Sequence, residues 1–102
     1  MPLAARQGDT VTTGHACDTT TTLAQPGQSS VFVVGKNWCR LGDLTVAHDI
    51  PVDEECVSHT AAITGSSNTV FVVGVKCARV GDGADAGSIS SSTQDSVFAG
   101  YI

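Results

Sequence analysis

The chain has 102 residues, ten acidic against five basic side chains, and a formal net charge of −5, which is enough for one small domain. So few cations argue against nucleic acid and against an anionic membrane surface as partners, and no run reaches the ~20 apolar residues of a spanning helix. Aromatic residues make up only 5% while glycine contributes 11, Ser, Thr and Val are abundant, and no window carries a 3.6-residue period; an all-β chain of short strands and tight turns is expected.

In chain order, the first residues, Met1-Pro2-Leu3-Ala4-Ala5, hold no apolar core of a signal peptide, so any export is expected to be as a passenger. Arg6-Gln7-Gly8-Asp9 follows, a tetrad that recurs as Arg40-Leu41-Gly42-Asp43 and Arg79-Val80-Gly81-Asp82 and contains every arginine. After each tetrad comes a polar excursion, then an apolar run. Those runs are Ser30-Val31-Phe32-Val33-Val34-Gly35, Thr69-Val70-Phe71-Val72-Val73-Gly74 and Ser96-Val97-Phe98-Ala99-Gly100. Asp43 to Asp82 and Val31 to Val70 are both 39 residues apart, and Val70 to Val97 is 27. The chain is therefore one domain of three repeats, roughly 1–35, 36–74 and 75–102.

Each Val-Phe run reads as a buried strand, closed by Gly35, Gly74 or Gly100 where a turn calls for positive φ. Lys36-Asn37 and Val75-Lys76 then suggest a hairpin before the arginine. A single solvated Arg–Asp pair contributes about 0–1 kcal/mol, but its recurrence suggests a structural link between neighbouring units. Such units, unable to bury their own apolar faces, are expected to pack around a shared axis.

The three histidines all lie in excursions, as Gly14-His15-Ala16-Cys17, His48, and Cys56-Val57-Ser58-His59. Zinc accepts a mixed imidazole–thiolate tetrahedron, and a metal staple suits a domain with so small a core. The five candidates His15, Cys17, His48, Cys56 and His59 compete for four places. Cys17 and Cys56 occupy equivalent repeat positions, so either sulfur could ligate, or the two could form a disulfide. His15, His48, Cys56 and His59 are the expected ligands, with Cys56 chosen for its spacing to His59 and Cys17 in reserve. Cys39 and Cys77 read as buried free thiols, a disulfide between them being the alternative, and Trp38 as a packing residue. Asp53-Glu54-Glu55 reads as a solvated acidic turn rather than the base of a metallohydrolase, so no catalytic residue is expected.

The opening Pro2-Leu3-Ala4-Ala5-Arg6, the repeated Arg-x-Gly-Asp and the Val-Phe-Val-Val-Gly runs resemble PAAR-repeat proteins over essentially the whole chain. None of the units carries a literal Pro-Ala-Ala-Arg, and the third excursion, Gly83-Ala84-Asp85-Ala86-Gly87, holds neither His nor Cys. The resemblance implies a cone of three β-rich units with zinc near its apex, bound by three histidines and one cysteine; here the histidines can only be His15, His48 and His59. It further implies a base that caps a trimeric VgrG-type or phage tail-spike β-helix, one tip per trimer, for mechanical piercing by a contractile injection machine. With no effector extension expected, the tip would belong to a phage tail baseplate or, before export, to the bacterial cytoplasm of a type VI secretion system, with a slight preference for the phage. The rival reading is a small extracellular binding module stapled by disulfides or zinc.

Overall fold

The computed structural model describes residues 2–99. It is all-β, with no helix among these residues, and measures 40 × 24 × 22 Å. Its strands are β1 (Thr10–Thr12), β2 (Thr20–Thr22), β3 (Phe32–Val33), β4 (Lys36–Asn37), β5 (His48–Val52), β6 (Glu55–His59), β7 (Phe71–Val72), β8 (Val75–Lys76), β9 (Gly83–Ala84) and β10 (Gly87–Ser91).

The organising feature is a closed ring of backbone hydrogen bonds. Cys39 N–H donates to the Ala5 carbonyl (3.0 Å), Ala78 to Cys39 (3.0 Å) and Ala5 to Ala78 (3.1 Å). All three residues are fully buried, and each immediately precedes the arginine of a tetrad. Antiparallel bridges Arg6–Trp38, Arg40–Cys77 and Ala4–Arg79 run the same circuit. Only small side chains stand at this centre, because three backbones meet there.

Each tetrad then makes the same turn. The aspartate N–H returns to the arginine carbonyl at 3.0–3.1 Å, and the aspartate Oδ2 accepts the arginine backbone N–H at 2.7–2.8 Å. Gly8, Gly42 and Gly81 hold φ of 88°, 90° and 97°, the left-handed third position of a type II turn. Chain reversal at Gly-Asp sends each excursion out, and it returns at a large apolar residue: Leu23, Ile63 or Ile89 donates to the carbonyl of Asp9, Asp43 or Asp82 at 2.9 Å. These three residues, with Val11, Thr45 and Ala84, are at most 1% exposed and fill the core. Full burial of each large one is worth about 1.5–3 kcal/mol.

Each returning strand also pairs with the next outgoing one. Leu23 bridges Thr45 and Ile63 bridges Ala84, while β10 joins β1 through Ile89 and Val11. The third pairing closes the circuit, so these strands leave no open edge between excursions.

The Val-Phe runs are not buried strands as expected. Val33 and Val72 are buried, but Phe32, Phe71 and Phe98 are 58%, 56% and 45% exposed. The first two runs end inside their own hairpin turns. Val34-Gly35 has φ of 47° and 82°, and Val73-Gly74 has 49° and 79°, the signature of a type I′ turn. Only two residues remain extended in each, and strand alternation turns one of them outward. Gly100 lies outside the described residues.

A β-branched residue in the left-handed region is strained, and the arginines support it. Arg6 Nη1 donates to the Val33 and Val34 carbonyls at 3.3 and 3.0 Å, and Arg40 Nη1 to those of Val72 and Val73 at 3.4 and 3.3 Å. These bonds tie each arginine to the far end of its own repeat, 1–35 or 36–74, through backbone carbonyls, and not to a neighbouring unit as expected. The side-chain ion pairs with Asp9 and Asp43 are looser, at 3.9 and 3.7 Å. Arg79 differs, gripping Asp82 at 2.9 Å.

A further recurrent device precedes each Val-Phe run. Gln28 Oε1 accepts the N–H of Ser30 and Val31, Gln94 Oε1 those of Ser96 and Val97, and Ser67 Oγ those of Thr69 and Val70. Cys39 and Cys77 are buried free thiols, and burial pushes them up to about 12 and about 11. Trp38 is indeed a packing residue: it lies against a cluster of Val72, Cys77 and Ala99 and donates its indole N–H to the Ala78 carbonyl at 3.0 Å.

Candidate metal centre

The excursions converge on one cluster of His15, His48, His59 and Asp85, whose ligand-type atoms all lie within 4.8 Å of one another. Two of these side chains are set by one hairpin. β5 and β6 pair antiparallel with His48 opposite His59, so both imidazoles stand on the same face, ring centres 4.4 Å apart.

His15 comes from the irregular loop between β1 and β2. Thr13 holds that loop, its hydroxyl donating to the Asp18 carbonyl at 2.7 Å. Asp85 sits at the two-residue turn between β9 and β10 with φ of 57°, a conformation aspartate tolerates. This turn is wedged against the first excursion: Ala86 N–H donates to the Thr13 carbonyl at 2.9 Å. A Cβ on Gly14 would lie 2.4 Å from the Ala86 oxygen, and one on Gly87 would lie 1.9 Å from the Thr12 oxygen. Glycine at both positions lets the two excursions touch.

One carboxylate oxygen is the common point. Asp85 Oδ2 lies 2.8 Å from His15 Nε2, 2.7 Å from His48 Nε2 and 3.4 Å from His59 Nε2, while Oδ1 accepts the Ala86 N–H at 2.8 Å. The outer nitrogens of two rings are fixed as well. His15 Nδ1 lies 2.9 Å from the Ala16 carbonyl and His48 Nδ1 2.9 Å from that of Val46. A carbonyl only accepts, so both Nδ1 atoms carry hydrogen, and each Nε2 faces inward, as a lone pair for a cation or as an N–H toward Asp85.

That donor set fits a cation. His48 Nε2 and His59 Nε2 are 2.9 Å apart, and one shared proton cannot satisfy three inward nitrogens and a carboxylate. A tetrahedral zinc site with bonds of about 2.0–2.1 Å has edges of about 3.3–3.4 Å. The three distances to Asp85 and the His48–His59 distance, 2.7–3.4 Å, lie within tenths of an ångström of that spacing, and all donor atoms lie within 4.8 Å of one another. Side-chain exposure is 9%, 3%, 26% and 6% for His15, His48, His59 and Asp85, so His59 forms the solvent side.

Protons compete with a cation for the same inward nitrogens. The Ala16 carbonyl raises the His15 pKa, burial opposing and Asp85 reinforcing it. Burial pushes Asp85 up, but hydrogen bonds from His15 and His48, with the charge of His15, outweigh it and hold the carboxyl low. Asp85 is therefore held as a carboxylate, one of four side chains that could hold a metal ion.

The expected ligands His15, His48 and His59 thus meet, and Cys56 does not join them. Its sulfur is bonded to that of Cys17. The reason lies in the local structure: Cys56 and His59 both belong to β6, and on a strand residues three apart point to opposite faces. The Cys-x-x-His spacing chelates from a helix or loop, not from an extended strand. Asp85 takes the fourth place. Its signal was readable, since His15, His48 and Asp85 are each the first histidine or acidic residue after the excursions begin at Thr10, Leu44 and Gly83. No protein-family model matches the chain, and no curated protein matches it.

Proposed function

We propose that this chain is a structural spike tip of the PAAR type, a pseudo-threefold cone that caps a trimeric β-helical spike of a phage tail or type VI machine. The observation that carries the reading is the hydrogen-bonded ring Ala5–Cys39–Ala78, through which one chain offers three near-equivalent segments to a threefold partner. At one register of the three runs stand the exposed Phe32, Phe71 and Phe98, with Val34 and Val73 beside the first two. Large exposed apolar groups of this kind mark interaction surfaces, and a trimer end would cover them.

The residues His15, His48, His59 and Asp85 would hold zinc, which would supply a cross-link between the excursions. Four protein donors leave no open position of the kind a catalytic zinc keeps, so the role is mechanical rather than catalytic. Contact with a target membrane follows from force applied through the spike.

The test is native mass measurement of the tip with a spike trimer, alongside metal analysis before and after chelation. One tip per three spike chains is expected; three tips per trimer would sink the cap. The second reading, an extracellular binding module, draws on the Cys17–Cys56 bond, since disulfides belong to oxidising compartments. Failure to bind any spike trimer, with the disulfide intact, would favour it.

A further inference from the structure

We infer that the Cys17–Cys56 disulfide positions His15, so that oxidation tightens metal binding at the histidine cluster instead of ejecting the metal. The inference rests on the metal reading of that cluster and concerns its regulation by two residues outside the ligand set.

His15 is the only histidine of the cluster outside regular structure, in a run of bends between β1 and β2. His48 and His59 are locked by the five-pair ladder of β5 and β6. What ties the loop of His15 to that ladder is a short set of contacts. Asp18 N–H donates to the Asp49 carbonyl at 3.1 Å, Asp49 N–H to Asp18 Oδ2 at 2.8 Å, and the disulfide joins Cys17 in the loop to Cys56 on β6. The two hydrogen bonds involve exposed groups; the disulfide is the only covalent tie.

In many zinc–thiolate sites oxidation removes ligands and releases the ion. Here the sign reverses for a geometric reason. Cys56 lies on the face of β6 opposite His59, so its reduced thiolate points away from the cluster of His15, His48, His59 and Asp85. Neither Cys17 nor Cys56 belongs to the four-donor group, so oxidation costs the site no ligand and restrains His15. The chemistry balances as thiol–disulfide exchange: the Cys17 and Cys56 thiols lose two protons and two electrons as their S–S bond forms, and one oxidised glutathione leaves as two reduced molecules. Cys17 and Cys56 are exposed, whereas Cys39 and Cys77 are fully buried, so a reagent in solution reaches only the first pair.

The experiment is zinc titration against a competing chromophoric chelator. It uses the protein oxidised with glutathione disulfide, the protein reduced with a phosphine, and the Cys17→Ser/Cys56→Ser variant, with circular dichroism to follow the β signal. Groups that orient metal ligands typically contribute 10–100-fold in affinity, and the oxidised protein is expected to bind tighter than either other form by about that factor. In a His15→Ala background the ratio should fall to near one. Equal affinities in the unmutated protein, zinc release on oxidation, or a ratio that survives His15→Ala would each overturn the inference. An oxidised protein that takes no zinc at all removes the metal reading and this inference together, a result distinct from equal affinities.

Discussion

The ring and the excursions are built by opposite rules. At the ring, Ala5, Cys39 and Ala78 do the same thing three times, and each tetrad closes the same turn with Leu23, Ile63 or Ile89 returning to it. Beyond the turns, the excursions span 10–22, 44–62 and 83–88, and each brings something different: one histidine on a loop, two on a hairpin, one aspartate on a tight turn. Recurrence is strict where three backbones must meet and hydrogen-bond. It lapses where the only demand is that four donor atoms reach one point.

If the ring end holds the fold and the metal end is stapled onto it, the two should respond differently to zinc. Ile63→Ala removes a fully buried side chain, and such deletions cost about 2–5 kcal/mol. That loss is expected with or without zinc in denaturant unfolding with the disulfide intact. His59→Ala should cost little in chelator. With zinc at about a thousandfold over its dissociation constant it forfeits most of the roughly 4 kcal/mol that such binding adds, because the site's binding energy is folding energy. Zinc-independent behaviour of His59→Ala, matching Ile63→Ala, would erase the distinction.

Alkaline pH probes the buried thiols at and beside the ring, away from the metal cluster. Cys39 is pushed from 9.0 up to about 12 and Cys77 to about 11, burial being the first cause in each. Below pH 9 both folded and unfolded thiols keep their protons, and stability does not respond to them. Above it the unfolded chain releases protons that the folded chain retains, so stability falls as pH rises toward the folded values. Cys39→Ala places there the residue that Ala5 and Ala78 already supply at the other ring positions. It should flatten the alkaline decline relative to the unmutated protein; an unchanged slope between pH 9 and 11 would show that the thiol is not shielded.

Much of this division was legible in the sequence, for physical reasons that also mark where reading failed. The repeated tetrads announce a repeated turn, because glycine followed by aspartate is chemistry for a left-handed position and a side chain that binds backbone. Histidines confined to excursions announce convergence. Spacing could not say that the excursion carrying Cys56 runs as a strand, and strand geometry is what sends that sulfur away from His59. Nor could an apolar run reveal that Phe32 and Phe71 face outward: a two-residue strand beside a turn has the composition of a buried one. Asp85 is neither of the ligand types expected at the site, imidazole or thiolate, and the contact of two excursions at Gly14 and Gly87 is what brings its turn against the cluster.

The smallest effect bears on the apolar end. Val34 adopts a φ of 47° where Asn-Gly is the favoured type I′ pair, and the left-handed region costs a residue of its kind about 1–2 kcal/mol. Val34→Asn should therefore stabilise the protein by about 1 kcal/mol, read as a higher denaturant midpoint at unchanged slope. Val34 is also 58% exposed beside Phe32, on the surface proposed to meet the spike, so the same variant should bind a spike trimer less well. Strain retained at an exposed apolar turn makes sense if the side chain is kept for contact rather than for folding. A variant that gains stability and loses no binding would move the docking surface away from the Phe32 hairpin.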